Sequence, residues 1–445
     1  LYRVQAMTEL PRDKSHSEVV LWVTYINIVL YALCYQLQRP VEPFLVKSLT
    51  ENHEDPNYVS EKYAQLQAFF SAVQTIGSPL VGILLDRVGV RRASSVVFLA
   101  SALSYAILAS ATSMDLLFWS KVPTALQHAF LVAQAAAAIS TGSDAAARAQ
   151  ALGRMTTAYT IGGTIGPALG GWLVNTMGDL YSGAKLAVVG SLISVVLSIV
   201  YLPDESNPLS SDSSPIPKKQ HRTFMQEMQN SYDIAIRPNL WPLLLVKVIG
   251  GFAAAMYSTA LPLVLTQNLN FDPSELGLTM STSMFAVAAF GAFAMAPLTH
   301  MLGLPGMGQS GLVFRAGLAQ VFAVIVTSQS LHGKHEQILI WVVIVSIAHS
   351  LASHVLATAL TTQTTGAVEK SEQGALLGLE HGLFSLARVG APPTASYLMA
   401  KMQGFWSVAF SCGTIDLGLV GLLISTASQQ QLVSIPTRVD LEHSD

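Results

Sequence analysis

The sequence predicts an all-α membrane protein: twelve transmembrane helices in two pseudo-symmetric six-helix bundles. Three observations carry that expectation. First, 51% of the 445 residues are hydrophobic and only 11% charged, with mean hydropathy +0.46, against about 25% charged in an ordinary soluble domain. Apolar surface on that scale cannot all be hidden in a water-soluble core, so lipid is the expected solvent. Second, apolar runs fall roughly at 19–46, 62–85, 93–112, 116–140, 152–177, 184–202, 239–266, 274–297, 310–330, 337–360, 375–398 and 404–427. Each is near the ~20 residues that a spanning helix needs. Third, a repeat survives: Leu152-Gly153 precedes Pro167, and Leu377-Gly378 precedes Pro392, by the same fourteen residues counted from the glycine. Both copies fall in the fifth run of their half, and duplicated halves are a common transporter plan.

The runs and their connectors set the expected domains. Residues 1–18 form a cytoplasmic N-terminal segment, 19–202 the first bundle, 203–238 a cytoplasmic linker, 239–427 the second bundle and 428–445 a cytoplasmic tail. The linker is rich in Ser and Pro and carries Lys218, Lys219 and Arg222, a composition that cannot bury a core. After it, Phe224, Met225, Met228, Tyr232 and Ile236 recur at helical spacing, as in a helix lying in the membrane interface or a frayed extension of the seventh span. With both termini cytoplasmic, fourteen Lys and Arg fall inside and five outside (Lys47, Lys62, Lys185, Lys334 and Lys401), the bias that orients membrane proteins. The chain begins at Leu1 rather than Met, so a preceding segment and any targeting signal stay open.

The net charge of −3 says nothing about nucleic acid, but the sequence shows no basic or aromatic patch of the kind that binds it, so no nucleic-acid partner is expected. Cys34 and Cys412 lie in apolar runs without disulfide or metal spacing. With no nucleophile–base pair, phosphate loop or metal cluster in view, neither an enzyme nor a cofactor is expected.

The most specific motif lies between the second and third runs: Gly82-Ile-Leu-Leu-Asp86-Arg87-Val-Gly89-Val-Arg91-Arg92. Gly82 lets helices approach closely, Gly89 permits a turn with φ > 0, and Asp86 can accept hydrogen bonds from arginines or a helix N-terminus. The fifth run supplies Gly166-Pro167-Ala-Leu-Gly170-Gly171, with Gly162, Gly166 and Gly170 in one stripe. Such a stripe permits tight helix packing, and Pro167 permits bending. Gly374, Gly378 and Gly382 make a second stripe in the eleventh run.

These two motifs resemble the loop signature of the major facilitator superfamily and the antiporter motif of its drug:proton antiporter branch. Ala125-Leu-Gln-His128, Ala151-Leu-Gly153-Arg154 and Leu245-Val-Lys247-Val resemble the organic-cation-transporter-like members of solute carrier family 22. The resemblance implies a conformational latch at the Asp86 loop, where Val90 departs from a common basic residue. It also implies a degenerate second copy around His300 and Gly303, and a central cavity lined by helices 1, 4, 7 and 10. Lys121 stands where the family carries an arginine linked to proton coupling.

Charged and polar groups inside spans are costly and default to functional candidates. Those expected at substrate or in coupling are Gln36, Arg39, Glu42, Lys121, His128, Lys247, His349, Glu380 and Arg388. Arg39 and Glu42, three apart, can also simply pair with each other. His128 titrates in the range of a proton switch, and Lys247 lies too deep for easy snorkelling, with Glu380 as a candidate partner. Arg315 is expected to snorkel to the surface, and Asp416 to be a packed structural group. The expected function is alternating-access transport of a small organic solute, proton-coupled or facilitative, by a monomer in lipid. An excess of basic over acidic candidates mildly favours an anionic or zwitterionic solute. A transporter-fold sensor or scaffold in a membrane assembly is the alternative.

Overall fold

The computed structural model describes residues 10–51, 55, 57–142, 144–204, 232–328, 335–369, 372–402 and 404–433. Most of the linker and the first part of the expected interfacial helix, residues 224–231, lie outside them. The described chain is helical throughout: α1 Leu10–Gln38, α2 Glu42–Leu49, α3 Tyr58–Ala109, α4 Met114–Lys121, α5 Ala129–Thr141, α6 Ala145–Met177, α7 Ser182–Tyr201, α8 Trp241–Gln267, α9 Pro273–Phe293, α10 Met295–Thr327, α11 His335–Gly366, α12 Gln373–Lys401 and α13 Phe405–Val433. A 3-10 segment, Val122–Leu126, follows α4.

Among the described residues, nine helices are long and apolar enough to cross a membrane. One of them, α3, has 52 residues, or about 78 Å at 1.5 Å per residue, more than twice a ~30 Å hydrocarbon core. It is two spans, broken at Gly89, where φ 75° and ψ 171° is a conformation only glycine adopts cheaply. The remaining two spans are α6 and α12, which are long enough but carry Arg148, Arg154, Glu380, His381, Arg388 and many small residues. Gly303 breaks α10 with φ 65° and ψ 168°, nearly the same conformation as Gly89, so the degenerate second copy of the loop keeps its turn after losing its acidic residue.

By packing, the chain divides into two compact units: Leu1–Pro217 with Pro262–Phe285, and Lys218–Leu261 with Ala286–Asp445. The seam falls inside α8 and α9. In the first unit α1 packs on α6 at the expected stripe. A Cβ on Gly162 would lie 2.3 Å from the Val29 carbonyl oxygen, and one on Gly170 2.2 Å from that of Leu37, so only glycine allows this approach. The opposite face of α6 meets α9: Gly171 lies against the Pro273 backbone, and the Ala168 N–H donates to Ser281 Oγ at 2.8 Å.

A Cβ at Gly82, Gly378 or Gly382 would meet nothing within 4 Å among the described residues. Gly374 is not among the residues whose side-chain surroundings are described.

In the second unit, α10 packs on α13 around Leu312, Leu419 and Leu423, with Val246, Leu356 and Leu360 closing the core. Arg315 does not snorkel. It is 4% exposed, with Nε 2.8 Å from Asp416 Oδ2, a second bond from Nη2 to Oδ1, and a third to the Gly250 carbonyl at 3.0 Å. The side chain stays inside because Asp416, 1% exposed, offers a fork-matched carboxylate from the packed neighbour. Beyond the spans, Arg237 forks onto Glu372 at 2.6 and 2.8 Å. That hydrogen bonding holds the Glu372 carboxyl below its usual range.

Removing one partner of a buried pair strands the other, at a cost of about 3–5 kcal/mol, whereas apolar replacement of both is often neutral. Asp416→Ala should therefore sharply lower the melting temperature of the purified protein. Arg315→Met with Asp416→Leu should recover most of the loss. Equal melting of Asp416→Ala and wild type would contradict the pairing.

Candidate functional site

Polar side chains converge at one place in each unit. In the first, span 1 is interrupted at Arg39-Pro40-Val41, between α1 and α2, because proline disfavours helical geometry in the residue before it and lacks an N–H. Span 4 is interrupted as well. Pro123 opens the 3-10 segment, and the chain leaves helical geometry at Gln127 and His128 before α5. Gly77 of α3 accommodates this irregular backbone, since a Cβ there would overlap the Ala125 carbonyl. The exposed carbonyls find donors: Gln74 Nε2 donates to Thr124 O at 2.7 Å, and Tyr31 Oη to Gln127 O at 3.3 Å. Irregular backbone at membrane depth is tolerated only where protein or a polar cavity satisfies it.

Between the two breaks, Lys121 Nζ binds Glu42 Oε1, and Gln67 Nε2 donates to Glu42 Oε2 at 2.6 Å. Glu42 thus pairs across to span 4 rather than with Arg39. Arg39, Glu42 and Lys121 line a polar cavity of about 30 Å³ with Gln38, Tyr35 and Tyr105. Lys121 Nζ also lies 5.8 Å from the centre of the Phe70 ring. Gln36 sits apart, its Nε2 3.7 Å from Met284 Sδ. His128 occupies the N-cap position of α5 without a side-chain capping bond and is half-buried.

In the second unit, Lys247 of α8 and Glu380 of α12 form an ion pair at 2.5 Å, and Lys247 Nζ also reaches Thr364 Oγ1 at 3.3 Å. The pair lies on the wall of a cavity of about 440 Å³, otherwise lined mostly by apolar groups such as Leu244, Val248, Leu356 and Phe384. Glu380 Oε1 is buried without a hydrogen-bond partner. Arg315 also lines this cavity, and sequence reasoning missed it. The available signal was Asp416, an acidic residue in another apolar run of the same half that could answer it.

Four expected candidates line neither cavity: Gln36, His128, His349 and Arg388. His349 stacks on Tyr257 with ring centres 4.0 Å apart, beside Phe322 and Phe405, and belongs to an aromatic core. Arg388 is exposed on α12 and lines neither cavity. In the loop motif, Asp86 and Arg87 are exposed, and Asp86 takes no partner among the described residues. Arg91 instead anchors the loop, with Nε 2.6 Å from the Leu202 carbonyl and Nη1 3.6 Å from Asp204. Arg92 is exposed nearby.

Residues 24–300 match the family model of the Major Facilitator Superfamily. The chain belongs to that superfamily. It is 29% identical over 280 residues to mouse solute carrier family 22 member 18, a match covering 62% of this chain and 65% of that protein. The match to multidrug resistance protein 2 of Bacillus subtilis (strain 168) is weaker, 22% over 392 residues, but covers 87% of this chain and 91% of that one. In fold, the crystal structure of the human organic anion transporter MFSD10 (TETRAN) aligns with TM-score 0.62 over 92% of this chain and 99% of that one, at 19% identity. At that identity the likeness speaks for the fold alone. A major facilitator chain with this many apolar helices is a multi-pass membrane protein, and membership sets it apart from enzymes.

The Lys247–Glu380 pair gives a direct test of the second site. Lys247→Gln should destabilise the protein by about 1–3 kcal/mol, because it leaves a largely buried carboxylate short of a partner. Adding Glu380→Gln should restore part of that stability in a thermal-unfolding assay. Additive losses would mean the two side chains do not depend on each other.

Proposed function

We propose that this protein is a secondary transporter that moves a small organic solute by alternating access, with the solute seated in the cavity beside Lys247 and Glu380. The cavity carries the reading. Its volume of about 440 Å³ lies in the range of small-molecule pockets, and an apolar wall with a few placed polar groups is their usual build. The likeness to a superfamily member named for multidrug resistance supports transport as the activity.

Pairing changes what the solute should look like. The expected preference for an anionic or zwitterionic solute rested on an excess of basic candidates, but two of them, Lys121 and Lys247, carry carboxylate partners. An anion would have to displace Glu380 from Lys247. A neutral or zwitterionic solute with an apolar body can instead fill the cavity while the pair stays intact. The Glu42–Lys121 pair joins two broken spans, and a proton arriving at Glu42 would release it, so coupling to protons is the natural reading of the first site. A non-transporting sensor is the weaker reading: Lys121 is engaged rather than idle, and the turn at Gly303 persists in the second loop copy.

The test is a thermal-shift screen of purified protein against neutral, zwitterionic, anionic and cationic solutes, followed by uptake of the hits into proteoliposomes. A stabilising solute should be taken up, and Phe384→Ala and Lys247→Gln should each weaken its binding by about tenfold, or about 1.4 kcal/mol. Binding and uptake unaffected by both substitutions would move the site elsewhere, and no uptake of any stabilising solute would favour the sensor reading.

A further inference from the structure

The cavity between the breaks of spans 1 and 4 is too small for an organic solute. At about 30 Å³ it admits one or two water-sized atoms. The charged groups in its wall are Arg39, Lys121 and Glu42, two cations against one carboxylate. Both oxygens of that carboxylate are already engaged, by Lys121 and by Gln67. The Arg39 guanidinium makes no hydrogen bond or ion pair among the described residues, and the attraction of Glu42 that reaches it is shared with Lys121. Gln38, 6% exposed, also lines the cavity, and neither atom of its amide has a partner. Tyr105 Oη accepts from Gln127 Nε2 at 2.8 Å, so its own proton is left for another acceptor.

A water would answer some of these donors but leave the surplus charge uncompensated inside the membrane, where an unpaired cation is costly. A small anion answers both. Discontinuous spans are also where transporter folds place ion sites. We propose that this cavity binds a monovalent inorganic anion of halide size, held by Arg39 and Lys121 with Gln38 and Tyr105 as further donors. The site is separate from the solute cavity and does not rest on the function proposed for it.

Equilibrium binding of radiolabelled chloride to the purified full chain in detergent tests this at constant ionic strength. Saturable binding is expected, displaced by bromide but not by gluconate, which is too large for the cavity. Arg39→Gln should weaken it by about tenfold or more, while Arg39→Lys, which keeps the charge, should lose less. Lys247→Gln should leave chloride binding unchanged while weakening solute binding, so the two sites fail independently. Should Arg39→Gln not purify as a folded monodisperse protein, Tyr105→Phe and Gln38→Leu should each weaken chloride binding severalfold. The proposal is overturned if chloride fails to bind saturably to wild type, if gluconate competes as well as bromide, or if the folded variants bind chloride like wild type.

Discussion

Hydrocarbon offers a charge no water, and the polar architecture of this protein follows from that constraint. A lysine, arginine or carboxylate held within a span must find a partner, reach an interface or face a cavity. Among the described residues, three ion pairs meet the requirement inside the spans: Glu42–Lys121, Lys247–Glu380 and Arg315–Asp416. They differ in surroundings. Arg315 and Asp416 are nearly sealed by α10 and α13 and share their hydrogen bonds with the Gly250 carbonyl. Arg315 touches the larger cavity too, but the other two pairs are more exposed on their cavity walls, where a solute, an ion or a proton could compete for the same atoms. The sealed pair serves the packing of the second unit, while the two cavity pairs can change partner.

Helix breaks are what allow the first of those pairs to form. A continuous helix satisfies its own backbone and leaves only side chains for chemistry. Pro40 and Pro123 interrupt spans 1 and 4 near one another, and Gln74 and Tyr31 take up carbonyls at the second break. Glycine does complementary work. At Gly77 it admits the broken backbone of span 4, and along α6 it lets α1 approach to backbone contact. Small residues thus provide the proximity and prolines the irregularity, and the charged groups occupy the space that results.

Much of this was legible in the residues. Apolar runs marked the spans, and the loop motif marked the turn at Gly89. The four-residue stripe of Gly162, Gly166 and Gly170 anticipated a close helix approach, though not that α1 makes it, and depth in the membrane pointed Lys247 toward Glu380. What stayed hidden depended on partners far apart in sequence. Arg315 reads as a residue near a helix end until packing brings Asp416 beside it, 101 positions away. Arg39 and Glu42 look like a local pair until the break at Pro123 delivers Lys121 to Glu42. His349 reads as a cavity histidine, but Tyr257 offers an aromatic face that draws it into the core. Local spacing does not report which of several partners wins.

At the first site, the central question is whether the buried charges at the breaks depend on one another. A double-mutant cycle on Glu42→Gln and Lys121→Gln, read by thermal unfolding of the purified protein, tests this most directly. Partners in one buried network show coupling energies of about 0.5–3 kcal/mol, and a pair this enclosed should fall in the upper half of that range, with the double variant more stable than the sum of the single losses allows. Additive losses would show that Glu42 and Lys121 answer to their surroundings separately and would contradict the account.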